Sequence, residues 1–461
     1  KGEWIAIIAR LCDSPVARLR PACDIRHVPD ALEPPANIYA RCWHATGMTH
    51  PMRDHTPSTR LPWHVPLIFA ITFIVHYLDR NVIAFALPRM AQELHWSDRQ
   101  VGAYGQYLLG AFFLSYGLAQ LLLSGAAERF GAKRSLVIVI IGFSFVSMAM
   151  GPLGGSLAML VLLRLLLGLA ESVHVPMMGV ITARQFPQAV RARANAIWNV
   201  GIIVATASGA LITVPIIANW GWRNAFVIVG AAGLIIALPL VLLFVHHTKP
   251  APGTVSGAPR IYRGGPDYWL YVSIGVLNAF CGFGILGWLP SYFVRAKGID
   301  FAALGWPLSI VFGAGVVGTL AIAWLGDWLQ RRVLLASIGF AGAAVALVFA
   351  IPSQALAPMV ALFALAVFCQ SAFQAQEHAT IQKLAGDVDV GAATGTYNGT
   401  SLIVGGVVGS MVPGAIVAST GSFDMALSAI AVAALLASLL AALLARRLRE
   451  GAMPAATGKP A

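Results

Sequence analysis

Apolar residues run along this chain in long continuous blocks separated by short polar breaks. Twelve blocks can be read, at residues 64–88, 101–124, 134–152, 156–182, 195–219, 223–246, 268–292, 303–325, 333–351, 356–377, 392–418 and 424–445. A helix that crosses the hydrocarbon core of a bilayer needs about 20 mostly apolar residues. Barrel strands would show short segments alternating apolar and polar residues instead. The pattern predicts an all-α polytopic membrane protein with twelve transmembrane helices. The longest internal break, 247–267, is polar and rich in Pro and Gly, and it follows the sixth block. It predicts a linker between two six-helix halves, 61–246 and 268–446, with a tail at 447–461. Residues 1–60 are rich in Pro, Arg, His and Asp and show no periodicity. They read either as a disordered extension or as sequence upstream of a start at Met48 or Met52. The apolar patch Trp4–Ala9 is too short for a secretory signal.

Composition agrees with the blocks. Of 461 residues 58% are hydrophobic and only 11% charged, with mean hydropathy +0.75, where soluble domains carry roughly 25% charged residues. The net charge of +12 would suit nucleic acid if the bases were clustered, but they sit in short loops and alternate loop by loop. Arg129, Lys133 and Arg134, then Arg184, Arg191 and Arg193, then Arg331 and Arg332, and finally Arg446 and Arg447 fall on one side; the intervening loops are poor in bases. By the positive-inside rule that side is cytoplasmic, and it holds both termini. A bacterial-type inner membrane is the expected location. The five cysteines show no metal spacing, and Cys281 and Cys369 read as small apolar core residues. There is no Gly-x-x-x-x-Gly-Lys-Ser/Thr loop and no Ser/His/Asp grouping. An enzyme, an ATP-driven pump, a metal site and a cofactor are therefore not expected.

Two loops repeat a theme. Gly125-Ala-Ala-Glu128-Arg129-Phe-Gly131-Ala-Lys133-Arg134 follows the second block, and Trp324-Leu-Gly326-Asp327-Trp-Leu-Gln-Arg331-Arg332 follows the eighth. Each sets an acid before paired bases, which suits charge pairs that break and re-form as two halves rock. Glu128, Arg129, Arg134 and Asp327 are the candidate gating residues. The first loop resembles the signature between helices 2 and 3 of the major facilitator superfamily, Gly-x-x-x-Asp-Arg-x-Gly-x-Lys/Arg-Arg, with Glu128 in place of Asp. Further motifs resemble one branch, the anion:cation symporter family: Tyr77-Leu-Asp79-Arg80 in span 1; Arg164, Gly168, Glu171 and Pro176 in span 4; Gly287-Trp288-Leu289-Pro290-Ser291-Tyr292 in span 7; and Gly395-Thr-Tyr-Asn398 in span 11. The resemblance covers roughly residues 62–446. His174, between Glu171 and Pro176, departs from it, as do Gln374, Gln376, Glu377 and His378 in span 10. It implies two six-helix halves with the substrate site between them near the midplane, and contacts from Tyr77, Tyr116 and Asn398 to the substrate. Helix-to-helix hydrogen bonds are the other reading of those three residues, and anchoring at the membrane interface is the other reading of Trp288 and Tyr292.

Ionisable groups are costly inside a bilayer, so an intramembrane charge is a functional candidate by default. Arg164 and Glu171 are seven residues apart (171 − 164 = 7), about two turns and 10 Å along one helix face. A substrate carboxylate needs a cation with forked donors that stays charged, which Arg80 and Arg164 provide. Proton coupling needs a titratable carboxyl whose state responds to burial and to a neighbouring cation, which Asp79 and Glu171 provide. An internal ion-pair network, for example Asp79 with Arg164, is the competing reading. His174 lies three residues from Glu171, and His76 three from Asp79; each is either a tuning group or a satisfied core histidine. The resulting expectation is proton-coupled symport of a small organic anion by alternating access. The anion is a sugar acid such as galactonate, glucarate or hexuronate, or another carboxylate. Its partners are that anion, protons and the lipid bilayer, with no nucleic acid and a monomeric carrier. An exporter or uniporter on the same fold, and a sensor that binds the anion without moving it, are the alternatives.

Overall fold

The computed structural model describes residues 61–247, 262–329, 331–385 and 390–450, and among them there is no strand. The expectations for residues 1–60, for most of the linker and for the end of the tail lie outside the described residues. The first half comprises α1 (His64–Glu93), α2 (Asp98–Leu153), α3 (Leu157–Glu171), α4 (His174–Gln185), α5 (Gln188–Ala232) and α6 (Leu238–Phe244). The second comprises α7 (Pro266–Arg295), α8 (Gly305–Leu329), α9 (Arg332–Ala350), α10 (Leu356–Ala385), α11 (Val390–Thr400), α12 (Val407–Thr420) and α13 (Phe423–Glu450).

Among the described residues ten helical runs are long and apolar enough to cross a membrane. Two of them are double length. The 56 residues of α2 would extend about 84 Å if straight, far beyond a bilayer core of about 30 Å. They fold back at Gly131, whose φ of 120° only a glycine adopts without strain. The run through α5 and α6 turns in the same way at Gly221, φ 80°. Counting each as a hairpin, 10 + 2 = 12 spans is consistent with the structure. The sequence pattern predicts loop just before Gly131. That stretch is helical instead, because one left-handed glycine suffices to reverse the chain.

Local chemistry sets the other ends. Ser97 and Gln100 form a reciprocal capping box at the start of α2, and Ser156 caps α3 by accepting from Met159 N. Between α3 and α4 the fourth span is broken. Pro176 has no N–H to offer the Ser172 carbonyl four residues earlier, and its ring crowds that carbonyl. Glu171 thus ends α3 and His174 begins α4. A second irregularity, the wide π turn Ser401–Gly406, joins α11 to α12.

The two halves meet at the Gly221 end of the bundle. Gly102 on α2 lies against the α12 backbone at Gly414, Val417 and Ala418, with no room for a side chain, and Gly110 lies under Met411. At the same end Arg295 Nε donates to Asp98 Oδ1 at 2.7 Å, and Arg295 Nη2 donates to the Trp96 carbonyl at 3.2 Å. Trp288 is buried, and its Nε1 donates to the Ser410 carbonyl at 2.9 Å. Tyr292 is also buried and donates to the Ile351 carbonyl at 3.1 Å. Neither is an interface anchor; both pack protein against protein. The large exposed side chains, among them Leu122, Leu243, Trp306, Trp324 and Leu320, form the outward apolar surface that lipid would cover.

Candidate functional site

A cavity of about 610 Å³ lies between the halves, within the range usual for small-molecule sites. Tyr77, Tyr116, Gln120 and Asn199 line it from the first half; Asn278, Gln370, Gln374, Glu377 and Asn398 line it from the second. Gln120, Asn199, Glu377 and Asn398 fall on the stretches of their helices nearer the Gly131 end, so the cavity extends that way while the Gly221 end is packed shut. Of the five residues expected to bind substrate, Tyr77, Tyr116 and Asn398 line this cavity, and Arg80 and Arg164 are not among its lining residues. Gln370 Nε2 donates to both Asn278 O (3.0 Å) and Asn278 Oδ1 (3.2 Å), which fixes part of the polar wall.

A side pocket of about 20 Å³ leads off past Phe283 and Leu286, which line both spaces. Arg80 and Arg164 line it, and they differ in what they hold. Arg164 is buried and committed: Nε donates to the Leu108 carbonyl at 2.9 Å, Nη1 to the Arg80 carbonyl at 3.4 Å, and its plane covers Phe112 at 4.8 Å. Arg80 sits within a cage of rings, 4.9 Å from Phe112, 4.8 Å from Phe113, 5.0 Å from Tyr116 and 5.6 Å from Phe283. Aromatic faces hold a guanidinium without using its N–H groups. Arg80 Nη2 has no hydrogen-bond partner in the structure. The Phe112-Phe113 pair reads in the sequence as core; its service to Arg80 does not show there, because it depends on how α1 meets α2.

Behind the arginines lies a sealed group of acids and histidines. Asp79 Oδ1 accepts from the Ser147 hydroxyl, while Asp79 Oδ2 is buried without a partner. The Glu171 carboxyl neighbours Asp79, and neither of its oxygens has a hydrogen-bond partner. Glu171 Oε2 is also 3.1 Å from His76 Nε2, without hydrogen-bond alignment. The His76 ring stacks on His174, centroids 4.3 Å apart and planes 7° apart. Asp79, Glu171, His76 and His174 are all 0% exposed. The Asp79–Arg164 pairing of the competing ion-pair reading is not formed as a hydrogen bond; Ser147, which sequence reasoning does not single out, takes that place on Asp79.

The candidate gating residues are not brought together as expected. Glu128 accepts from Arg184 Nη2 of α4 at 2.8 Å rather than from the bases of its own loop. Arg129 and Arg134 are exposed. α4 ends beside the Gly131 turn, so Arg184 reaches Glu128 where the loop's own bases point to solvent. Asp327 lies within α8, but its side chain is outside the described residues, as is that of His378. Among the described residues no group of three or more His, Cys, Asp and Glu side chains could hold a metal ion.

Two helical halves that close at one end around a cavity with polar side chains set in a largely apolar wall, and with buried charges on the spans, define a membrane carrier fold. The chain belongs to the Major Facilitator Superfamily, whose sequence pattern matches residues 69–358 and 295–460. It is 26% identical over 386 residues to a hexuronate transporter of Bacillus subtilis, covering 78% of this chain and 89% of that protein. It is 27% identical over 392 residues to a protein described as a probable sulfoacetate transporter of Cupriavidus necator, covering 78% of this chain and 88% of the relative. Among solved structures, a bacterial homologue of the human lysosomal transporter Spinster, in an inward-facing and occupied conformation, superposes with a TM-score of 0.73 at 18% identity. That match covers 85% of this chain and 98% of the other, and shows the shared fold.

Proposed function

We propose that this integral membrane protein is a proton-coupled symporter that imports a small organic anion across a bacterial-type inner membrane, with both termini cytoplasmic. The observation that carries the reading is Arg80. Its charge is held by four rings, one of its donors is unpartnered, and it lines the side pocket that adjoins the central cavity at Phe283 and Leu286. A carboxylate or sulfonate supplies the acceptor that this donor lacks. The hydroxyl and amide groups of Tyr77, Tyr116, Asn398 and Gln374 suit the hydroxyls of a sugar acid, and the hexuronate and sulfoacetate carriers among the relatives carry anions of this size. Asp79 and Glu171, side by side behind the arginines, are the proton-binding pair. A proton shared between adjacent carboxyls removes a like-charge contact, and binding of the anion at Arg80 changes the charge they face. The pair Glu128–Arg184 and the loop bases Arg129 and Arg134 serve as the charge contacts that are remade when the Gly131 end closes.

The test is a binding screen on the purified protein with glucuronate, galacturonate, galactonate, glucarate and sulfoacetate. At least one anion should bind, and Arg80→Gln should weaken it by about a hundredfold, the range expected when a charge-assisted hydrogen bond of about 3 kcal/mol is removed. Binding unchanged in Arg80→Gln would overturn the assignment of the anion site.

A further inference from the structure

His76 and His174 are used by nothing described so far. They come from two different elements, α1 and the first residue of α4, and meet only because Pro176 breaks the fourth span there. Both are fully buried, and none of their four ring nitrogens has an aligned hydrogen-bond partner. Two stacked imidazoles walled by Phe73 and Phe143 would be an expensive way to fill a core, since buried polar atoms are normally paired. The one polar group they reach is Glu171, 3.1 Å from His76 Nε2. Both histidines lie one turn nearer the Gly131 end than the acids: His76 precedes Asp79 by three residues on a helix that starts at that end, and His174 follows Glu171 by three on a span that finishes there.

We propose that His76 and His174 form, with Glu171, a proton-holding site that adjoins the Asp79–Glu171 pair and shares Glu171 with it. This rests on the proton-coupled reading above. In the step it performs, the Glu171 O–H bond breaks as an N–H bond forms at His76 Nε2. A neutral acid and a neutral imidazole become a carboxylate and an imidazolium, with nothing oxidised or reduced. The step uses the neutral His76 tautomer protonated on Nδ1, in which the Nε2 lone pair faces Glu171. His174 limits the site to one proton, because two parallel imidazolium rings 4.3 Å apart repel each other in a medium that screens poorly. The charged or titratable groups around the site are Asp79 and Arg80 on α1, Tyr116 on α2, and Arg164 and Glu171 on α3; α5 contributes only the indole of Trp198, through Phe73. His76 and His174 are thus positioning and relay residues, one on each side of the helix break.

Infrared difference spectra of the full chain in lipid, recorded across a pH step, read this directly and need no substrate. Glu171→Gln assigns the carboxyl band of Glu171. In the wild type a downward pH step is expected to raise an imidazolium band together with the Glu171 carboxyl band, since the proton the site takes up is shared between Glu171 and His76. His76→Asn should abolish the imidazolium band and move the midpoint of the Glu171 band by about one pH unit or more. His174→Phe, which keeps a stacking ring, should retain the imidazolium band with a shifted midpoint, and serves if His76→Asn does not fold. A Glu171 band that titrates identically in both variants, or a wild type without the imidazolium band, would overturn the proposal. The symport reading fails separately: a complete histidine signature in a protein that shows no proton-driven uptake would remove that reading and leave the proton site standing.

Discussion

Arg80 and Arg164 are the same residue type one helix apart, yet their surroundings give them different work. Arg164 ties carbonyls of α1 and α2 to α3 with two of its nitrogens. A lysine has one nitrogen and no flat face for Phe112. Arg164→Lys should therefore lower thermal stability in detergent by about 1–3 kcal/mol, because a carbonyl in a dry interior is left without its donor. Arg80→Lys should leave stability within about 0.5 kcal/mol and weaken anion binding roughly tenfold by removing the fork. Melting and binding measured on both variants check the division; equal effects on both quantities would contradict it. The candidates Asp79, Arg80, Arg164 and Glu171 are legible as charges within apolar blocks. Their separate partners are not. Ser147 and Leu108 are 68 and 56 residues distant from the groups they hold, and no local pattern marks such a pairing.

The spans are legible because lipid demands long apolar helices, a signal that twenty-odd residues repeat without ambiguity. Their interruptions are less so. Gly131 and Gly221 look like many other glycines in the chain; only the need to reverse a double-length helix picks them out. The break at Ser172–Val173 follows from Pro176, and it places Glu171 and His174 at facing helix ends rather than on a continuous helix face. Pro176→Ala returns an N–H to the Ser172 carbonyl and should extend α3 into α4, displacing His174 from His76. Proton-driven accumulation should then fall about tenfold, since a shift of about 1 Å is costly to transfer between fixed groups. Counterflow exchange, which needs no net proton movement, should be retained. Equal loss of both would show that the break serves folding alone.

At the scale of the whole molecule, backbone contact and an ion pair join the halves at the Gly221 end, side-chain contacts such as Gly117 with Ile403 continue along α2, and the cavity extends toward the Gly131 end. Two kinds of contact hold the closed end. The Asp98–Arg295 pair is partly exposed, Arg295 25% and Asp98 41%, and pairs of this kind contribute about 0–1 kcal/mol. Arg295→Gln should shift the balance of conformations by no more than about fivefold. The Gly102 contact is backbone against backbone, and Gly102→Val should shift that balance by more than about tenfold, because neither chain can yield. Distances between spin labels on α2 and α12 at that end check both; a larger effect from Arg295→Gln than from Gly102→Val would contradict the ranking. The sequence motifs suggest that acid–base pairs in the 128–134 and 324–332 loops join the halves. Glu128 instead bonds within its own half to Arg184, which is what remains available to it when the cavity side of the bundle is apart.

In the proposed mechanism anion and proton move together through the Asp79–Glu171 pair. The most direct measurement places the protein in liposomes containing a pH-sensitive dye and adds the anion that binds best, with no pre-formed gradient. The anion's entry should acidify the lumen, and Glu171→Gln should abolish the acidification while leaving counterflow exchange of the anion intact. Entry of the anion with no change in lumenal pH would contradict it.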